Sequence, residues 1–207
     1  MPATPGGLSG RRALCEGCGR PLVACWCGCV RLVENLTAVL ILQQSDEAGH
    51  AKGTARLLAR CLSRVEVRVG ERFDPPRSLD GLVLLYPRAT GEAPTSPSIH
   101  QAASMATGVA ATTLVALDGT WRGSRRLLAL NPWLQALPRL ALDTPPPSRY
   151  TIRRAHAHTQ RSTLEACALA LAALDGDKLR YRPLWQAMEA FVDLQRRLAG
   201  HPTPSLV

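Results

Sequence analysis

The 207-residue chain carries 25 Lys+Arg against 16 Asp+Glu, a formal net charge of +9, and has no apolar run of about 18 residues. That excludes a helical membrane span and, without an apolar leader at the N-terminus, predicts a soluble, cytoplasmic chain long enough for one α/β domain with a full core. Lys52 and Lys178 are the only lysines, and between Arg122 and Arg161 lie eight arginines and a single acid, Asp143. Such a basic field is what a polyanion-binding surface requires, although a GC-rich genome also enriches arginine.

Residues 1–12, rich in Pro, Gly, Thr and Ser, read as a disordered tail. Residues 13–33 hold five of the seven cysteines, as Cys15-x2-Cys18-x6-Cys25-x-Cys27-x-Cys29. A reducing compartment disfavours disulfides, so four thiolates around one structural zinc are expected, from Cys15, Cys18, Cys25 and Cys27, with a redox cysteine pair or uncoordinated thiols as the competing readings. Cys29 competes with Cys27, since alternate residues of an extended segment share a face. The domain proper spans 34–200.

Thr37 to Leu42 is an apolar run of the kind that forms a strand buried on both faces, and Gln43 to Glu47 is the loop at its carboxyl end. Gly53 to Leu62 has helical periodicity, and Val65 to Val69 alternates as a more exposed strand. Gly81 to Tyr86 is a strand stopped by Pro87. A turn-rich loop over 88–98 and a weak helix over 99–108 lead into a strand at Thr112 to Leu117. A helix follows from Trp121 to the break at Asn131-Pro132, then a short strand at Arg139 to Leu142. Pro145-Pro146-Pro147 forces an extended segment whose alternation puts Arg149, Thr151 and Arg153 on one face. Ser162 with Glu165 is a capping box opening a helix to Leu174. The last helix, Pro183 to Leu198, has Trp185, Met188, Phe191, Val192 and Leu198 as its expected buried stripe. Strands alternating with helices predict an α/β fold, a largely parallel sheet with helices on both faces.

In such a sheet ligands sit at the carboxyl ends of strands, which puts Asp118 of Asp118-Gly119-Thr120-Trp121 at the mouth of a site, with helix capping as the competing role. Trp121 either lines that site or joins the core. Arg149 and Arg153 suit a carboxylate or a phosphate, and Arg122, Arg125, Arg126, Arg153 and Arg154 suit RNA phosphates, against ordinary solvated arginines. Tyr150 reads as core.

The cysteine spacing, Leu84-Leu85-Tyr86-Pro87, Asp118-Gly119-Thr120-Trp121, Asn131-Pro132-Trp133-Leu134, Ser148-Arg149-Tyr150-Thr151-Ile152-Arg153 and Ser162-Thr163-Leu164-Glu165-Ala166, in that order, resemble the DTW-domain family of tRNA-uridine aminocarboxypropyltransferases. The resemblance runs from about Cys15 to the last helix. It implies transfer of the 3-amino-3-carboxypropyl group of S-adenosylmethionine to N3 of a tRNA uridine, on a fold similar to the knotted SPOUT methyltransferases. It also implies cofactor contacts from Tyr86, Pro87, Leu117, Asp118, Thr120, Trp121, Ser148, Arg149, Tyr150, Arg153, Ser162, Thr163 and Glu165. Asp118 and Glu47 are the candidate catalytic carboxylates. Where the family has His-Pro-x-Glu after the first strand, this chain has Gln44-Ser45-Asp46-Glu47, which keeps only the acid. An SPOUT-like RNA methyltransferase and a non-catalytic zinc-knuckle RNA-binding protein are the alternative readings.

Overall fold

The computed structural model describes residues 13–87, 112–142, 145–152 and 161–200. The expectations for the tail at 1–12, the loop at 88–98, the helix at 99–108 and the arginines at 153 and 154 lie outside these described residues.

Among the described residues five strands form one sheet: β1 (Ala38–Gln43), β2 (Val65–Val69), β3 (Leu82–Leu85), β4 (Thr113–Asp118) and β5 (Arg139–Leu140). Their order is β2-β1-β4-β3-β5 and every pairing is parallel. The apolar strands β1, β4 and β3 each have a neighbour on both sides, and the alternating Val65–Val69 strand is an edge, as its more polar sequence requires. Parallel registration sets Gln43 directly beside Asp118, so both leave the sheet at its carboxyl edge.

Among the described residues five α-helices accompany the strands: α1 (Ser45–Ala48), α2 (Ala55–Cys61), α3 (Trp121–Leu130), α4 (Thr163–Leu174) and α5 (Arg182–Leu198). Alternate strand residues divide the core. Val39, Ile41, Leu114 and Ala116 pack with α2, α4 and α5, whereas Leu40, Leu42, Leu84 and Val115 pack with Leu128 of α3 and with Leu134 and Leu137 beyond it. The sheet thus has helices on both faces. Helix α4 buries Leu164, Cys167, Ala168, Ala170, Leu171 and Leu174, an almost unbroken apolar surface, because it lies against the sheet as well as α2 and α5. None of the described helices is long and apolar enough to cross a membrane.

Three details differ from the sequence reading. Residues 45–48 form the short α1 rather than a loop. Leu198 is exposed, and Leu184 and Ala187 complete the α5 stripe with Met188, Phe191 and Val192. The stretch over 145–152 is not a strand, but its alternation survives: Arg149 pairs with Glu189 at 3.0 Å and Thr151 accepts from Arg196 at 2.7 Å, both residues of α5.

Polar side chains fix the connections. Asp175, just past α4, accepts from the backbone N–H of Leu36 at 3.0 Å and of Thr37 at 3.2 Å, from the Thr37 hydroxyl and from Tyr181, tying the α4–α5 turn to the entry of β1. Asn131 accepts from Phe73 N at 2.7 Å and donates to Glu71 O at 2.9 Å, and the Trp133 indole donates to Phe73 O at 3.0 Å. The Asn131-Pro132-Trp133 motif therefore anchors the chain leaving β2.

Candidate active site and metal centre

Asp118 ends β4 with only 5% of its surface exposed. Gln43 Nε2 donates to its Oδ2 at 2.7 Å, and the Thr163 hydroxyl donates to Oδ1. Both carboxylate oxygens thus meet donors from elements remote in sequence. Capping is not its role, because the side chain of Thr120 accepts from Gly123 N at 3.1 Å and caps α3. Thr163 is delivered by the start of α4, where Leu164 N also donates to Thr54 Oγ1 at 3.2 Å.

The predicted capping box on α4 is present and does more than cap. Glu165, fully buried, accepts from Ser162 N at 3.0 Å, Ser148 Oγ at 2.9 Å and Arg149 N at 2.8 Å. One carboxylate thereby fastens the Ser148-Arg149 segment to the head of the helix that holds Asp118. The Arg149 side chain turns away, over the Trp185 ring at 5.3 Å and onto Glu189, so it does not converge on Asp118. Tyr150 is buried, as core residues are, and its hydroxyl donates to Lys52 O.

At the neighbouring strand end, Tyr86 and Trp121 meet edge to face with centroids 6.0 Å apart, and the Arg139 guanidinium lies 5.6 Å from the Tyr86 centroid. Trp121 is 42% exposed and is not core. Pro87 and Thr120 are exposed and Leu117 half-buried around the same edge. Arg122 and Arg125 project from α3 to solvent, and Arg126 pairs with Glu71 at 3.1 Å. Glu47 is buried on α1, immediately beyond Gln43 and Gln44.

Sequence reading did not single out Gln43, and noted Gln44 only as the residue standing where the family has histidine. A Cβ at Gly119 would sit 2.8 Å from Gln44 Oε1, and one at Gly123 only 1.7 Å from it. The Gln44 side chain fills a notch that these two glycines leave open, with Nε2 at 3.5 Å from Glu71 Oε1. The glycine spacing in Asp118-Gly119-Thr120-Trp121-Arg122-Gly123 was the signal that a side chain passes there.

The sulfur atoms of Cys15, Cys18, Cys25 and Cys27 all lie within 4.8 Å of one another. Three of the separations are 3.4 Å (Cys15–Cys25), 3.7 Å (Cys15–Cys27) and 3.8 Å (Cys18–Cys25). A zinc tetrahedron with sulfur bonds of about 2.3 Å has edges of about 3.8 Å, so the donor set fits that metal. Cys29 is not part of this group of sulfurs and is instead buried in the core, whereas Cys27 is its fourth member. A Cβ at Gly17 would approach Cys27 Sγ to 3.0 Å, so the turn needs glycine. The backbone N–H of Cys18, and next the Cys25 thiol, hold the Cys15 thiol down at about 6. Helix α2 clamps the turn: Arg56 donates to Cys18 O at 3.1 Å, Arg60 donates to Gly17 O, and the Arg60 guanidinium lies 5.9 Å from the Trp26 centroid.

The DTW domain profile matches residues 12–196. Curated relatives carry the name tRNA-uridine aminocarboxypropyltransferase 2. That of Mus musculus is 28% identical, covering 93% of this chain and 72% of the relative. That of Macaca fascicularis is 27% identical, over 89% and 64%. That of Drosophila melanogaster is 33% identical, over 80% and 68%. No solved structure matches. With the profile spanning the cysteine turn, the Asp118 edge and the capping-box helix alike, the chain belongs to the DTW domain family.

Proposed function

We propose that this chain transfers the 3-amino-3-carboxypropyl group of S-adenosylmethionine to N3 of a uridine in tRNA, giving 5′-methylthioadenosine as co-product. The observation that carries the reading is the Asp118 carboxylate, withdrawn from water at a strand's carboxyl end and fixed through both oxygens, in a chain whose relatives are named tRNA-uridine aminocarboxypropyltransferases. A SPOUT-like domain is the arrangement the family resemblance implies, and the parallel sheet with helices on both faces agrees with it.

S-adenosylmethionine supplies an alkyl group on a cationic sulfur. The residues at this edge fit such a ligand: Asp118 offers a fixed negative charge, and Tyr86 with Trp121 offers aromatic surface that attracts cations. Leu117, Pro87 and Thr120 complete the rim. Ser148, Tyr150, Ser162, Thr163 and Glu165 hold the cradle in shape by binding one another, Asp118 or Lys52. Uridine N3 loses its proton as it forms the new bond, so a carboxylate in reach can accept it. With donors on both oxygens, Asp118 suits electrostatic stabilisation and orientation best, and Glu47 is the second carboxylate able to act as base. Arg122 and Arg125 present charge for tRNA phosphates. The four cysteines hold a structural zinc, since four thiolates leave no open coordination position for chemistry.

The test is the co-product formed from S-adenosylmethionine and tRNA. Methylthioadenosine, matched by a uridine gaining the aminocarboxypropyl mass, is expected. S-adenosylhomocysteine would mean methyl transfer, and neither product would mean an RNA-binding protein without turnover.

A further inference from the structure

An open cleft of about 370 Å³ lies between the cysteine turn and the β2 edge of the sheet. Its volume is at the small end of ligand-binding clefts. Val67 and Val69 floor it, on the face of β2 that looks toward α2, and they are 36% and 53% exposed although both are apolar. Trp26 of the cysteine segment and the Arg56 and Arg60 side chains of α2 form its walls. Among the described residues these arginines are the only titratable ones lining it; Arg56 is exposed and Arg60 is exposed as well. Each spends one hydrogen bond on a carbonyl of the cysteine turn, which fixes its guanidinium and leaves the other N–H groups of the fork for a ligand.

Gln43 gives the cleft its meaning. It lines the cleft, and its amide also donates to Asp118, so one side chain is the shared wall between the cleft and the proposed reacting centre. A ligand here is therefore a direct neighbour of whatever lies against Asp118. The cleft pairs an apolar floor with two fixed cations, which matches a nucleobase joined to a phosphate.

We propose that this cleft receives an unpaired nucleotide of the tRNA strand that carries the target uridine, its base against Val67 and Val69 and its phosphate on Arg56 and Arg60. The proposal rests on the reading of the chain as a tRNA-uridine transferase. It assigns the cysteine turn a second duty, that of building one wall of a substrate subsite. It also makes the substrate a single-stranded stretch at least two nucleotides long, since a base held in a duplex does not offer its face to a side chain.

Full-length tRNA transcripts and the full chain test it by equilibrium binding at fixed salt. Val69→Glu places a negative charge on the apolar floor where the base would rest, in a cleft that must also take a phosphate, and is expected to weaken tRNA binding about tenfold. Zinc content and S-adenosylmethionine affinity should match the parent. Because a charge at an edge strand can disturb folding, a second measurement is decisive where the two disagree. The photo-reactive p-benzoylphenylalanine incorporated at position 69 should crosslink to bound tRNA. The same group at position 179, an exposed site at the amino ends of the strands, should not. A parent chain that modifies tRNA, with no crosslink from position 69, overturns the cleft proposal and leaves the transferase reading intact. A parent chain that binds no tRNA overturns both.

Discussion

Gln44 and Gly123 form a pair whose coupling follows from sterics alone. Gly123 is the third residue of α3, and replacing a helical glycine by alanine ordinarily stabilises by up to about 1 kcal/mol. At position 123 the new methyl would fall 1.7 Å from Gln44 Oε1, far inside contact distance, and overpacking of that kind costs about 1–3 kcal/mol. Gly123→Ala is therefore expected to lower stability in urea titration. In a Gln44→Ala background the same change should raise it, a reversal of sign that a double-mutant cycle reads directly. The family's histidine signature is absent at this point, and the structure shows a side chain of different chemistry wedged into a glycine notch. Asp118 was legible in the sequence as the end of an apolar strand. Gln43 and Thr163 were not legible as its partners, because they meet it only through parallel registration of β1 with β4 and through the placement of α4.

Among the elements, those carried by strong periodicity were readable: β1, β2, β3, β4, α2 and the capping box of α4 all follow from apolar spacing or turn chemistry. Strand order was not, since β3 lies between β4 and β5 for reasons of chain crossover that no local pattern encodes. Nor could spacing show that Arg149 would leave the site to stack on Trp185. Asp175 is another long-range tie that sequence conceals, and its loss would leave the Thr37 N–H and hydroxyl and the Tyr181 hydroxyl without their acceptor. Asp175→Ala is expected to destabilise the chain by about 2–3 kcal/mol, measured as a lowered denaturation midpoint with unchanged slope. The cysteine turn makes a sharper division. The parent is expected to bind about one zinc per chain; Cys27→Ser should lose most of it, whereas Cys29→Ser should keep it, because Cys29 faces the core. Elemental analysis distinguishes these outcomes, and equal losses would show that the ligand set is misassigned.

For the whole molecule, the net charge of +9 and the solvent-facing arginines of α3 set the expected encounter with tRNA. Affinity should fall steeply with salt, and replacing Arg122 and Arg125 together by alanine should flatten the slope by about two phosphate equivalents. An unchanged slope would move the RNA surface elsewhere. That encounter has a purpose only if the carboxyl edge of the sheet performs the chemistry, and there Asp118 is the residue on which the proposed reaction turns. The most direct measurement is single-turnover aminocarboxypropyl transfer by Asp118→Asn with saturating S-adenosylmethionine, alongside its zinc content and thermal midpoint. The substitution keeps the size of the side chain and removes its charge. Transfer is expected to fall by about two to four orders of magnitude while fold and zinc persist. A variant that transfers within a few-fold of the parent would show that the charge at Asp118 only positions Gln43 and Thr163, and would contradict its place at the reacting centre.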